Sequence, residues 1–500
     1  MEYILAALPI IALLFFMIIL KWGGNIAGPV SLLICILIAA FAFGLNISVI
    51  ITAFTKGLLL SFYVLLIIWP AMMLYQMISV SGGINAVEQT LQNAVPDTGL
   101  LSIILAWCFS SFLEGIAGFG IPIAIVAPIL VTLGISPITA VAAAAIGHAW
   151  SVTFGDMGVV FQALVGVVNM DAADLILPSS LLLGIACLLC GIAVAFLLKQ
   201  TKYLPQVLFI GIVMAVVQAT LAYFDLVTLS GFLAGLSGVF IGLVLKHKHK
   251  KVSEINHTSR LFKITMAVYF SLSILLIILF WPGPIRSAFQ SIAWIPKFDE
   301  VITNTGFITP AGNGQILRPF SHPGVVVLLV AIVTLFLLRK SQILSKETNK
   351  RVFQITWKSA APSSIAVVST IILAAIMEHT GMTQQLANGL AISFEKFYPL
   401  VSPWVGTLGA FATGSNTSSN ILFGSIQKEI ALILKFSPVW LVAAQTTGGA
   451  LGSMLSPAKI TIGCSTVGLS GKEGNVMKIT LPIGLGIGLI TGFLAFIFGT

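Results

Sequence analysis

Apolar runs of near-spanning length follow one another from the first residues of the chain to the last, parted only by short polar loops. In a bilayer every backbone N–H and C=O must find its partner within the protein, so such runs can only become helices packed side by side. Of the 500 residues, 58% are hydrophobic and 8% are charged, against roughly 25% charged in soluble domains. The chain is therefore expected to be an all-α polytopic membrane protein. The first run, 4–20, lacks a basic leader and a small-residue cleavage site and is read as a retained helix. Cys187 and Cys190 have CxxC spacing, but they sit on an apolar run without a companion histidine or second pair, and core packing explains them.

Basic clusters set the orientation. Lys21, Lys199/Lys202, the run "KHKHKK" at 246–251 with Arg260 and Lys263, Arg339 to Lys358, and Lys472/Lys478 hold most of the chain's 25 Lys and Arg. Cytoplasmic loops collect such residues, which accounts for the net charge of +9 without a nucleic-acid partner. Spans are expected at 4–20, 28–45, 58–78, 178–198, 206–224, 227–245, 264–281, 323–338, 360–377 and 479–498. Threaded through the basic loops, they put both termini outside a cell (plasma) membrane. The loop 79–99 fits least well, because it should lie inside yet holds Glu88 and Asp97 and no base.

An internal repeat organises the rest. "SPITAVAAAAIGHA" (136–149) lies on "SPVWLVAAQTTGGA" (437–450), and "FLEGIAG" (112–118) on "FATGSNT" (411–417). The predicted polarities of the two copies are opposite, the arrangement of inverted repeats in secondary transporters. Segments 100–113 and 119–132 are each too short to cross alone. Joined by "EGIAG" they predict a re-entrant hairpin, partnered by 400–435 around "TGSNTSSN" (413–420). A discontinuous helix is expected behind each, "GHAWSVTFGDMG" (147–158) and "TTGGALGSMLSPAK" (446–459). The expected division is 1–57, N-terminal helices; 58–198, first repeat with hairpin 100–132; 199–359, linking helices with the external loop 282–322; and 360–500, second repeat with hairpin 400–435.

Unwound backbone at membrane depth is tolerated where it is buried in protein or lines a wet cavity. A helix that starts there presents free N–H groups and a positive dipole end, suited to a carboxylate. The candidate substrate-binding residues are Gly115, Gly118 and Gly120 on the first tip, Ser415, Asn416, Thr417, Ser418, Ser419 and Asn420 on the second, and Thr446, Thr447 and Gly448 behind it. Small-residue helix packing is the plainer reading of both tips, but an acid and six hydrogen-bonding side chains exceed what packing needs. Ionisable groups inside a membrane are functional candidates. Glu114 is the expected proton carrier, because a dry interior disfavours the charged form of a lone carboxylate. His148 lies two helical turns before Asp156 and is expected to share a face with it, if the helix is unbroken, and to relay the proton. Asp156 falls near Lys459 in the repeat and is expected to pair with it. A buried structural ion pair and a satisfied core histidine are the bland readings of these three.

"FLEGIAGFGIPIAI" (112–125), "TGSNTSSNILFGS" (413–425) and "AAQTTGGALGSMLSP" (443–457) resemble the lactate permease family, as does "TVGLSGKEG" (466–474). The resemblance covers most of the chain and is weakest in 200–350. It implies import of small 2-hydroxymonocarboxylates (L-lactate, and often D-lactate or glycolate), generally with protons. It also implies a fold of inverted hairpin repeats, and a site that includes Glu114 and the tip Ser415–Asn420. The chain departs from the family's better-known members at His148, Asp156 and Lys459, where mostly uncharged residues are expected.

The leading expectation is a proton symporter working by alternating access, with the lipid bilayer as a partner and a homodimer left open. A sodium-coupled transporter of another small carboxylate on the same fold is the alternative. No cofactor and no metal are expected. An intramembrane hydrolase fits less well. "GLSG" occurs at 235–238 and 468–471, but no histidine is implied beside either serine. "TFGD" (153–156) lacks the earlier glycine of the aspartyl type, and no HExxH occurs. A passive channel built on rings of like residues would need symmetric subunits.

Overall fold

The computed structural model describes residues 2–95, 97–118, 120–245 and 260–499. The basic run 246–251, with His247 and His249, and Phe119 of the first tip lie outside the described residues. Helices make up nearly all of it: α1 (Glu2–Ile18), α2 (Gly24–Ala42), α3 (Ile47–Val80), α4 (Gly83–Ala94), α5 (98–116), α6 (Ile121–Thr132), α7 (Pro137–Ala149), α8 (Val159–Val168), α9 (Ala172–Leu197), α10 (Leu204–Tyr223), α11 (Val227–Val244), α12 (Arg260–Phe280), α13 (Pro323–Lys340), α14 (Lys346–His379), α15 (Met382–Phe394), α16 (Tyr398–Thr413), α17 (Asn416–Leu434), α18 (Pro438–Ser453), α19 (Pro457–Thr466) and α20 (Glu473–Gly499). Ten helices of the described residues are long and apolar enough to cross a membrane, and the chain is a helical multi-pass membrane protein.

The expected spans appear with ends shifted by a few residues, and two of them are much longer. α3 and α14 have 34 residues each, about 51 Å at 1.5 Å per residue, against a hydrocarbon core of about 30 Å. Lys56 and the polar stretch Lys346–Lys358, expected outside the spans, are helical because caps lie upstream of them. Asn46 accepts from the Val49 N–H at 3.0 Å, and Ser345 accepts from the Thr348 N–H at 3.1 Å. The loop 79–99 contains α4, an amphipathic helix packed against α12.

The caps at Asn46 and Ser345 stand 299 positions apart, and so do Gly82 and Gly381. These two glycines turn the chain into α4 and α15 with φ of 81° and 78°, a region that favours glycine. The correspondence continues through the hairpins α5–α6 and α16–α17, the broken helices α7–α8 and α18–α19, and the spans α9 and α20. Contacts are exchanged between the copies. α2 packs on α14 while α13 packs on α3, α8 on α17 while α19 on α6, and α9 on α18 while α20 on α7. α3 and α14 meet each other. A two-fold axis generates this exchange. Between α1 and its counterpart α12 the chain crosses seven times (α1, α2, α3, α7–α8, α9, α10, α11), an odd number, so the copies run in opposite directions.

The first hairpin leg is longer than the expected fourteen residues. It runs 98–116 as one helix with a π turn at Ile104–Phe109, and it is buried from Gly99 to Ile116. Asp97 starts it by accepting from the N–H groups of Gly99 and Leu100 at 2.8 and 3.0 Å. Residues 282–322 form a short helix, Pro284–Gln290, and two two-stranded antiparallel ladders, Lys297–Phe298 with Gly312–Asn313 and Val301–Ile302 with Ile308–Thr309. This region is tied to the α2–α3 turn: Asn46 Nδ2 donates to Ile302 O at 2.7 Å and Thr305 Oγ1 to Phe43 O at 3.0 Å.

Candidate functional site

The two hairpin tips and the two helix breaks converge. The first break runs from Trp150 to Gly158, where Asp156, Met157 and Gly158 are consecutively left-handed, with φ of 49°, 55° and 79°. The two non-glycine members of that turn are strained, and the Gly118 N–H holds the turn from outside by donating to the Asp156 carboxylate. The second break, Met454–Ser456, leaves Lys459 in the first turn of α19.

Between these elements lies a cavity of about 460 Å³. One wall is the second tip, Thr413–Ser418; another carries Asp156, Val159, Val160, Ala458 and Lys459. Gly23–Asn25, Gln76, Ser363 and Thr370 complete it. Ser415 caps α17, its hydroxyl accepting from the Ser418 N–H at 3.3 Å. The first N–H groups of α17 have no carbonyl of their own helix to bond.

Of the residues expected to bind substrate, Ser415, Asn416, Thr417 and Ser418 line this cavity. Ser419, Asn420 and Thr446 stand behind it in a buried network that joins the two copies. Asn416 Nδ2 donates to Thr153 Oγ1 and Thr446 O, both at 3.1 Å. Asn420 Nδ2 donates to Thr446 Oγ1 at 2.9 Å and Val160 O at 3.3 Å. Ser419 Oγ donates to Gly406 O at 2.8 Å, and Gln445 Nε2 reaches Ser419 and Asn420 at 3.2–3.3 Å. Thr447 bonds within its own helix, to Ala443 O. Gly115 and Gly448 are packing contacts: a Cβ on them would lie 2.3 Å from Phe232 Cα and 1.9 Å from Pro403 O. Gly120 opens α6 with φ of 82°. Thr153 and Gln445 were missed in the sequence, although each is a polar residue inside a motif already singled out there.

The charged groups are arranged differently from expectation. Lys459 Nζ lies 3.8 Å from Glu114 Oε1, and no Asp156–Lys459 pair forms within 4.0 Å. The left-handed turn draws the Asp156 carboxylate to Gly118 instead. His148 and Asp156 do not share a helix either, because α7 ends at Ala149. His148 Nε2 faces Glu114 Oε2 at 3.8 Å, and its Nδ1 lies 2.7 Å from Ala144 O. Glu114 is fully buried and neither carboxylate oxygen takes a hydrogen bond. Gly118 is what lets both acids approach: a Cβ there would lie 2.7 Å from Glu114 Oε1 and from Asp156 Oδ2. Lys459 also donates to Ser453 Oγ.

A second cavity, of about 740 Å³, lies on the far side of α8 beneath the 282–322 region. Lys56, Gln162, Asp225, Arg286, His322 and Glu378 are among its lining residues. Tyr63, donating to Gln162 Oε1 at 3.3 Å and set edge-on to His322, stands in its wall.

The model of the family described as L-lactate permease matches residues 2–499. The glycolate permease GlcA of Escherichia coli K12 is 28% identical over 99% of this chain and 96% of its own length. The L-lactate permease of Streptococcus iniae is 25% identical over 89% of this chain and 94% of its own. The structure of MtrF from Neisseria gonorrhoeae aligns over 89% of this chain and 82% of its own, at 16% identity and a TM-score of 0.48. Matched from end to end, the chain belongs to the L-lactate permease family and is a multi-pass membrane transporter, not an enzyme.

Proposed function

We propose that this protein carries a small 2-hydroxymonocarboxylate, L-lactate or glycolate, across the cell membrane by proton symport with alternating access. One observation supports it above the others. A single cavity brings the free N–H groups of a mid-membrane helix start, hydroxyl side chains and the ammonium of Lys459 together, with a buried carboxylate, Glu114, directly behind that ammonium. The N–H groups and Lys459 suit a carboxylate, and Ser415, Thr417 and Ser418 suit the adjoining hydroxyl. Glu114, His148 and Asp156 are the proton-coupling candidates. The relatives named for glycolate and L-lactate support the substrate class.

By the distribution of basic residues both termini lie outside. The 460 Å³ cavity is bounded by Gly23–Asn25 and Ser359–Ser363, next to Lys21 and Lys358. In this orientation it faces the cytoplasm, and the 740 Å³ cavity is the external vestibule.

Uptake of labelled L-lactate and glycolate into proteoliposomes tests the reading. A pH gradient, alkaline inside, is expected to drive accumulation, and a sodium gradient alone is not. Accumulation driven only by sodium would replace the proton in this scheme. Glu114→Gln is expected to lose pH-driven accumulation while exchange of lactate across the membrane stays detectable.

Side chains on the cavity wall and behind it are expected to separate in kinetics. A hydrogen bond to a charged group contributes about 1.5–3 kcal/mol, roughly 10- to 150-fold in affinity. Ser418→Ala should therefore raise the KM for lactate by at least the lower figure. Asn420→Ala removes a bond to Val160 O in the other copy and one to Thr446 Oγ1 in its own and should mainly lower the amount of folded protein. Unchanged KM in Ser418→Ala, with normal protein level, would move the substrate away from the tip.

A further inference from the structure

We infer that Lys459 couples the proton to the substrate: the substrate carboxylate and Glu114 compete for its ammonium, and Glu114, once released, takes up the proton at its contact with His148. This rests on the transport reading above and gives that reading its coupling step.

Lys459 is the one cation among the described residues lining the 460 Å³ cavity. It is also the neighbour of Glu114 Oε1, at 3.8 Å. Glu114 itself does not line the cavity and is fully buried. An anion entering the cavity therefore meets Lys459 first and reaches Glu114 only through it. The 3.8 Å separation is longer than a hydrogen bond, so Lys459 is close enough to balance the Glu114 charge but is not locked to it. Its hydrogen bond goes to Ser453 Oγ, leaving two ammonium protons to turn toward a ligand.

The proton has a prepared place. Ala144 O can only accept, so His148 Nδ1, 2.7 Å away, carries a hydrogen. In the neutral ring Nε2 is then a bare lone pair, and it faces Glu114 Oε2 at 3.8 Å. A lone pair against a carboxylate oxygen gains nothing. Once a proton from water sits on Oε2, the contact turns from repulsive to attractive, and drawing the two atoms in from 3.8 Å to hydrogen-bond distance makes an O–H···N bond between atoms that are now unpartnered. The groups facing Glu114 are Lys459 from α19, His148 from α7 and Asp156 from the break. From α11, Phe232 packs against the adjoining Gly115 and carries no charge.

Counting charges gives the direction of coupling. Without substrate, Lys459 balances Glu114, while Asp156, half-buried on the cavity wall, keeps its Gly118 N–H bond. A bound carboxylate sets one cation against three anions. A buried charge without a partner costs several kcal/mol, and protonating Glu114 removes it. The anion and the proton thus favour each other's binding, and one proton accompanies one monocarboxylate.

The experiment measures proton uptake on lactate binding. Purified protein in lightly buffered solution with a pH indicator receives L-lactate, and calorimetry gives the affinity in parallel. The wild type is expected to take up close to one proton per lactate bound near neutral pH. Glu114→Gln should bind lactate with no linked proton uptake. The double variant Glu114→Gln with Lys459→Met, which leaves no stranded partner of that pair, should elute as folded protein and bind lactate at least about tenfold more weakly. Wild-type affinity in the double variant, or undiminished proton uptake in Glu114→Gln, overturns the role given to Lys459. A wild type that binds lactate and glycolate not at all overturns the transport reading itself, and the coupling step with it.

Discussion

Lys459→Met alone should leave little of the protein in the membrane, and adding Glu114→Gln should bring it back. Lys459 is 6% exposed and Glu114 is fully buried. Removing one member of a buried ion pair costs about 3–5 kcal/mol, because the other is left charged without a partner. Glu114 could escape by taking a proton, but a carboxyl of ordinary value near 4.3 costs about 4 kcal/mol to protonate at pH 7. Both routes arrive at the same figure, a large share of the 5–15 kcal/mol that holds a typical protein folded. The second substitution removes the stranded charge while keeping the shape. Asp156→Asn offers the sharp contrast. Asp156 is bonded to Gly118 and lies on a cavity wall, so Asp156→Asn should not rescue Lys459→Met. Protein level in membrane extracts, measured by detergent-solubilised size-exclusion chromatography, decides between them. Rescue by Asp156→Asn and not by Glu114→Gln would mean that Lys459 serves the other acid.

Much of the architecture is legible in the sequence because a bilayer leaves few options. Apolar runs become spans, basic loops orient them, and glycine, serine and asparagine clusters inside apolar stretches mark hairpin tips. The family resemblance rested on those same clusters. Helix ends were less legible. Ser345 and Asp97 carry ordinary cap signals, but charged residues after the first and the expected loop around the second masked them. The electrostatics of the centre failed for a different reason. Placing His148 on one face with Asp156 assumed that the helix continued past Ala149, and pairing Asp156 with Lys459 assumed that near-equivalent repeat positions meet. Neither Asp156 nor Met157 announces a left-handed turn, since only Gly155 and Gly158 flank them. The lysine of one copy instead meets an acid on the hairpin of the other, a non-equivalent position. The substrate tip divided as well. Ser415 to Ser418 reach the cavity, whereas Ser419 and Asn420, next along the helix, turn toward α18 and its Thr446 and Gln445.

Gly147→Ala and Gly448→Ala should each abolish most of the folded protein, and to similar degrees. The two positions are 301 residues apart and carry the same contact. At Gly147 a Cβ would lie 1.8 Å from Ala106 O, and at Gly448 it would lie 1.9 Å from Pro403 O. Each obstacle is backbone, which has no rotamer to change. A hydroxyl from the first hairpin leg fixes each approach: Ser111 Oγ donates to Gly147 O at 3.2 Å and Thr407 Oγ1 to Gly448 O at 2.9 Å. In lipid there is little hydrophobic drive between helices, so close approach of this kind supplies much of the association. Forcing a methyl into a packed site typically costs about 1–3 kcal/mol even when side chains can shift. Here the whole leg must move away from its broken helix, and the hydroxyl bond is lost with it. The movement also displaces Glu114 and His148 at one contact, and the Asn416–Thr446 network at the other. Thermal unfolding in detergent should show both variants losing stability far beyond a control such as Gly486→Ala, where a Cβ meets nothing within 4 Å. Normal stability in one variant alone would mean that the two-fold correspondence of these contacts does not extend to their energetics.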